Sequence, residues 1–273
     1  MKKQFPRTKV GNTELSRFII GTNFLLGWSH RSDSFNARIK QTYDSPEAFL
    51  PVLDTCMEYG IDAIMAPMPA NPDLLKAIRM TEEKFGKEMV IIDTMFINTD
   101  DTPEGREEAR KIIHQSKLNG TKIFGIHTFC VRGLLDLKEN SIKRIGDYTE
   151  MIREEGMEPL IGAHMLEFID IVDNNGYDFE SYIQPYNCHG FMMPYEIEKC
   201  CKTIHNAKKP VMAIKTMAAG RLTPYVGLTW AWKTLRPQDM VTVGFYDAAE
   251  AEEDIEISFA ALEGRFPDLP FNL

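Results

Sequence analysis

The sequence predicts an α/β fold, a (β/α)8 TIM barrel with a short N-terminal β-hairpin, in one domain over residues 1–273. Three observations predict it. The 273 residues lie close to the roughly 250 typical of one such barrel. Eight short apolar runs alternate with longer amphipathic stretches, and the runs lack internal alternation, as parallel strands covered on both faces do. A glycine repeatedly ends a helical stretch just before the next apolar run, the expected left-handed stop. Strict strand–helix alternation demands a parallel sheet, and eight repeats allow it to close.

The strand candidates are residues 18–22, 63–66, 89–94, 123–127, 159–162, 182–184, 211–215 and 241–244. Helical spacing covers 46–59, 72–85, 103–116, 139–155, 165–174, 194–205, 228–235 and 248–262. Pro46, Pro72, Pro103 and Pro194 stand at first-turn positions, where a missing N–H costs nothing. Asp44 with Ser45, and Asp101 with Thr102, precede two of them as N-cap candidates. Gly60, Gly86, Gly120 and Gly156 supply the stops. Before the first run, residues 8–10 and 15–17 flank Gly11, Asn12, Thr13 and Glu14 and read as a hairpin able to plug the N-terminal mouth. Residues 23–43 form the longest irregular segment, and a loop of that length is usually functional or mobile.

Composition narrows the function. Hydrophobic residues at 44% and charged residues at 26% leave apolar area for a sizeable core. A net charge of -9 opposes nucleic acid and anionic membranes as partners, leaving a small-molecule substrate and a possible homo-oligomer. No apolar run reaches about 18 residues and the polar start lacks a signal-peptide core, so a cytoplasmic address is expected. Five cysteines without a CxxC pair read as reduced thiols, and most of the fifteen methionines as core filler. The acidic stretch from Glu250 to Glu256 reads as a solvated helix face.

Several segments resemble the aldo-keto reductases. Residues 9–16 (KVGNTELS) and 20–23 (IGTN) resemble that family's hairpin and first strand, and 58–62 (EYGID) the entry to its second. Ile126 with His127 resembles the segment bearing its active-site histidine, and Gln184, Tyr186 and Asn187 its strand-six Gln and Tyr-Asn. Residues 218–222 (AAGRL), Val243 with Gly244, and Glu252, Glu253 and Asp254 resemble its last two units. The likeness spans nearly the whole chain at low identity. It implies a barrel and, for typical members, carbonyl reduction by an Asp, Tyr, Lys and His tetrad with tyrosine as the acid.

The departures from that pattern are chemical. Met65 stands where the Asp would sit, the Tyr position falls near Ala70, and the Lys position falls at Met95. His127 alone remains. Ala163 and His164 replace the Ser-Asn pair that holds a nicotinamide amide, and Phe245, Tyr246, Asp247 and Glu250 replace the basic residues expected for a 2′-phosphate. Methionine cannot donate a proton, so the resemblance implies a relative that has lost the usual hydride chemistry.

The C-terminal strand ends suggest another chemistry. Asp93, His127, His164 and His189 follow adjacent strands three to six and could converge as ligands of a divalent Zn, Mn, Fe or Co ion. Lys215 ends an apolar run, where desolvation would make it a base, an amine nucleophile or a buried cation. Trp28, His30 and Arg31 on the first long loop, Arg132 after strand four, and Gln184, Tyr186 and Asn187 could hold a polyhydroxylated or anionic substrate. The reading placed first is a metal-assisted isomerase, epimerase or lyase of a small sugar or sugar-derived acid, with Lys215 and His127 catalytic. One alternative keeps an NAD(P)H-dependent carbonyl reductase, with His127 or His164 standing in for the missing tyrosine. Another is a non-catalytic ligand-binding barrel.

Overall fold

Each barrel strand sends alternate side chains inward to the lumen and outward to a helix layer, and this pleat positions the site. The computed structural model describes residues 2–68 and 71–269. A hairpin of β1 (Arg7–Val10) and β2 (Thr13–Ser16) comes first. The further strands are β3 (Phe18–Gly21), β4 (Ala63–Met65), β5 (Val90–Met95), β6 (Thr121–Ile126), β7 (Leu135–Asp136), β8 (Ser141–Ile142), β9 (Glu158–Gly162), β10 (Ser181–Pro185), β11 (Val211–Ile214) and β12 (Met240–Gly244). Strands β7 and β8 form a small antiparallel ribbon, and the other eight of these close in parallel into a barrel in the order β3-β4-β5-β6-β9-β10-β11-β12. The helices are α1 (Asp33–Thr42), α2 (Pro46–Glu58), α3 (Pro72–Phe85), α4 (Pro103–Leu118), α5 (Thr128–Leu134), α6 (Ile145–Glu154), α7 (Glu167–Asn175), α8 (Ile197–Asn206), α9 (Pro224–Thr234) and α10 (Ala248–Glu263).

Local chemistry sets these boundaries. The Thr102 hydroxyl accepts the Gly105 N–H at 3.0 Å and the Asn71 carboxamide accepts that of Leu74 at 2.8 Å, capping α4 and α3. Gly86 ends α3 in the left-handed region at φ 63°, and Gly60, Gly120 and Gly156 take the same conformation before their strands. Val10 and Leu15 of the hairpin pack with Ile19, Ala63, Ile92 and Leu160 in the lumen, so the hairpin does plug the barrel. Its turn needs Gly11, which has φ 57° and lies so close against the Glu158 carboxylate that a Cβ would collide.

Several segments differ from the sequence reading, among them 194–205, where α8 starts only at Ile197 and leaves Pro194 ahead of the first turn. Residues 23–43 contain α1, which buries only Ile39 and therefore leaves no hydrophobic period to read. Its end leans on the loop after β12, where the Tyr43 hydroxyl donates to the Tyr246 carbonyl at 2.5 Å. The stretch 139–155 gives α6 only from Ile145, because β8 takes up its start. The acidic stretch on α10 is not wholly solvated: Asp254 is 3% exposed, and burial pushes its carboxyl well up.

The pleat also decides the place of Asp93. On β5, Val90 and Ile92 face the lumen and Ile91 faces the helices, so Asp93 falls on the helix side. Its carboxylate accepts the Ser116 hydroxyl of α4 at 2.6 Å and the Met68 N–H at 3.2 Å. Burial outweighs those bonds and raises its pKa to about 6. A carboxyl raised above its unfolded value contributes stability below about pH 4, and this is lost as pH climbs through about 6. Asp93→Asn can keep both bonds without the charge. We therefore expect the variant to gain on wild type by up to roughly 3 kcal/mol between pH 4 and pH 8, read as ΔTm across that range. A ΔTm independent of pH would contradict the assignment.

Candidate active site at the C-terminal mouth

The histidines that follow β6 and β9 come to the lumen by the same alternation. On β6, Ile123 faces inward and Phe124 and Ile126 outward, which returns the next residue, His127, to the mouth. On β9, Leu160 faces inward and Ile161 outward; Ala163 again packs outward, and His164 follows it. The His127 Nδ1 accepts the Phe129 N–H at 3.4 Å, so its proton sits on Nε2. Its ring stacks on Phe96, with centroids 4.0 Å apart. Burial lowers the His127 pKa and brings that of His164 to about 4, helped by the charges of His127 and Lys215. Both imidazoles are neutral at pH 7. The Nδ1 of His164 is buried without a hydrogen-bond partner among the described residues.

Lys215 reaches this rim by a backbone device. On β11, Met212 faces inward and Ala213 outward, and Ile214 packs inward, so simple alternation would send Lys215 into the helix layer. Instead Lys215 adopts φ 62° and His30 adopts φ 58°, left-handed values that cost a non-glycine residue about 1 kcal/mol or more. The two strained residues meet: the Lys215 Nζ lies 2.6 Å from the His30 Nε2. An ammonium only donates, and the Asn23 amide nitrogen also lies 3.2 Å from this Nε2. His30 is therefore the neutral tautomer protonated on Nδ1, in keeping with a pKa lowered by burial and by the charges of Lys215 and Arg221. Burial lowers the Lys215 pKa to about 8.

The other expected site residues lie elsewhere. Asp93 is turned to α4, and His189 is exposed in the turn after β10. No group of three or more His, Cys, Asp or Glu among the described residues is placed to hold a metal ion. The quartet Asp93, His127, His164 and His189 thus does not converge. On β10, Tyr182 packs outward and Ile183 inward, which leaves Gln184 on the helix side, where it is fully buried. Tyr186 is buried against Trp230, and the Asn187 carboxamide is used up in two bonds with the Phe191 backbone. Arg132 is exposed on α5. Trp28 lines a cavity of about 290 Å³ with Leu25, Leu26, Lys40, Tyr43 and Asn71, and Arg31 lies against Gly220 of the loop after β11.

Where the resemblance puts tetrad members, Met65 packs with the lumen cluster and Met95 with the helix-layer cluster. Ala70 lies outside the described residues. Sequence reading missed Asn23, Phe96, Phe129 and, as a site residue, Arg221. The left-handed turns that aim His30 and Lys215 carry no signature in a non-glycine residue.

No family model matches the chain, and no curated protein matches it. Solved structures do. A Pseudomonas aeruginosa protein assigned to the aldo-keto reductases superposes with a TM-score of 0.67 at 12% identity, over 96% of this chain and 98% of that one. A glycerol dehydrogenase of Gluconobacter oxydans gives 0.62 at 12% identity, over 98% of both chains. A Bacillus halodurans aldo-keto reductase in its holo form gives 0.58 at 10% identity, over 98% and 99%. With reductases and a dehydrogenase as neighbours and no ion-binding cluster among the described residues, the metal-assisted isomerase, epimerase or lyase read from the sequence does not stand. The divalent metal expected as cofactor falls with it, since no cluster among the described residues is placed to hold one. At these identities the likeness is one of architecture, and the chain has the fold of the aldo-keto reductases.

Proposed function

We propose that the chain is an NADH-preferring oxidoreductase interconverting a small carbonyl compound and its alcohol, with Lys215 in place of the missing tyrosine as proton donor. The observation that carries this reading is the Lys215–His30 contact at the mouth of an aldo-keto reductase fold, with the amine's pKa near 8. His127 and His164, the acids expected from the sequence, are poor proton donors at pH 7 because burial keeps both neutral. Lys215 remains largely an ammonium there, and a pKa near the working pH suits an acid that must also act as a base in reverse.

Two features of the described residues support a nicotinamide without a 2′-phosphate. The buried, unpartnered Nδ1 of His164 lies where the resemblance puts the pair that holds the nicotinamide amide. Two carboxylates stand at the N-terminus of α10: Asp247 Oδ1 accepts the Glu250 N–H at 2.9 Å and Glu250 Oε2 accepts the Tyr246 N–H at 2.7 Å. A 2′-phosphate there would meet two carboxylates. Their remaining oxygens suit the free ribose hydroxyls of NAD.

When bound, a nicotinamide supplies or accepts the hydride. The chain's own groups handle the rest. The neutral His127 directs its Nε2–H at the substrate carbonyl oxygen and polarises it without adding a charge. Lys215 delivers the proton to that oxygen as negative charge builds there, and takes it back when the alcohol is oxidised. His30 and Asn23 hold the ammonium in place through the shared Nε2.

Fluorescence titration should show NADH binding at least tenfold more tightly than NADPH; binding of neither would overturn the reading. Lys215→Met should lower kcat for carbonyl reduction by about 10²–10⁴-fold, while NADH affinity stays within a few fold. In wild type, the reduction rate should fall as pH rises through about 8, because the donor form disappears, and the oxidation rate should rise. A reduction rate flat from pH 6 to 10 would remove Lys215 from the proton-transfer step.

A further inference from the structure

The amine of Lys215 differs from other lysines of the chain in what surrounds it. Lys84 and Lys209 lie against the carboxylates of Asp54 and Glu180, at 2.6 and 2.7 Å, and these partners hold them as ammonium ions. Lys215 has no acidic partner among the described residues. Its Nζ faces the His30 Nε2 at 2.6 Å. The titratable groups about it are His30, from the loop after β3, and His164, which follows β9. Both imidazoles are kept neutral, so neither supplies a negative charge to hold the proton on the amine.

With a pKa of about 8, about a tenth of this amine is free at pH 7 and about half at pH 8. The free amine is a nucleophile and the ammonium is not. Lys215 is only partly buried, just past the C-terminal end of β11, so a small carbonyl compound can reach it. The left-handed backbone at Lys215 and at His30 fixes both ends of the pair and keeps a proton acceptor in register with the amine.

We propose that Lys215 is also a covalent nucleophile, which forms an imine with small aldehydes and ketones while His30 relays the proton. This chemistry uses no nicotinamide and does not rest on the oxidoreductase reading. It starts from the ammonium, which passes one proton to the His30 Nε2. The amine lone pair then attacks the carbonyl carbon: the C–N bond forms and the C=O π pair moves to oxygen. That oxygen takes a proton from the nitrogen, which gives a neutral carbinolamine. The proton held by His30 goes to the hydroxyl, which leaves as water with the C–O pair, and the nitrogen lone pair closes the C=N bond. The product is an iminium that keeps the lysine's positive charge. His30 suits the relay because an imidazole whose protonation is disfavoured returns its proton readily.

Glycolaldehyde and sodium cyanoborohydride, added to the full chain at pH 8 without nicotinamide, test this. The hydride reagent reduces an iminium to a stable secondary amine, which peptide mass spectrometry locates. Lys215 should be modified at least tenfold faster than Lys84 or any other lysine, and should lose that preference when the chain is unfolded in urea. His30→Ala, compared with wild type at the pH where each Lys215 amine is half deprotonated, should slow the reaction at Lys215 at least tenfold; an equal rate would overturn the relay. Modification of Lys215 no faster than of the other lysines would overturn the proposal, and it is read on the wild-type chain, so no variant has to fold. NADH binding is measured separately. Fast modification of Lys215 without NADH binding upholds the imine chemistry and removes the oxidoreductase reading, and NADH binding with no preference for Lys215 does the reverse.

Discussion

A strand in a closed parallel barrel can show only every second side chain to the lumen, and that constraint governs what this molecule can do. The lumen's lower part is sealed by Val10 and Leu15 from the hairpin and filled by Ile19, Ile92, Leu160 and Ile183. Chemistry is therefore confined to the upper rim, where the strands give way to loops. There the pleat admits His127 and His164 and turns Asp93 and Gln184 towards the helices. A metal quartet drawn from consecutive strand ends needs all its members on one parity, and these residues are not.

Lys215 escapes the rule only by leaving it. Its left-handed backbone breaks the alternation of β11 and swings an amine into contact with a histidine from a loop nearly two hundred residues earlier, itself left-handed. Two non-glycine residues in a disfavoured conformation, joined by one short hydrogen bond, imply that the surrounding packing holds the arrangement against its local cost. The electrostatics have a single direction. Burial, joined by repulsion from neighbouring cations at His30 and His164, keeps three imidazoles neutral, and burial alone brings one amine close to physiological pH. The result is a rim of hydrogen-bonding groups around one titrating proton donor, which suits reversible carbonyl chemistry better than ion coordination.

Much of the architecture could be read from the chain. Each barrel strand was found to within a few residues, because parallel strands read as unbroken apolar runs and Gly60, Gly86, Gly120 and Gly156 mark their entries. Helix α1 was hidden by its single buried residue, Ile39. Of the rim, His127, His164, His30 and Lys215 were legible as ionisable residues at strand ends or on a long loop. Which of them share a pocket was not. The parity of Asp93 could have been worked out by counting from Ile92, whereas the twist that redirects Lys215 leaves no mark in an Ile-Lys-Thr sequence.

The chemistry of this mouth turns on the state of one amine. Site-selective NMR titration of the Lys215 ammonium, assigned by comparison with Lys215→Met, measures it without a substrate or cofactor. We expect half-deprotonation near pH 8, moving upward when His30→Ala opens the contact to water. An amine that holds its proton to the usual lysine value of about 10.4 would contradict the claim that this mouth is built around a tuned proton donor.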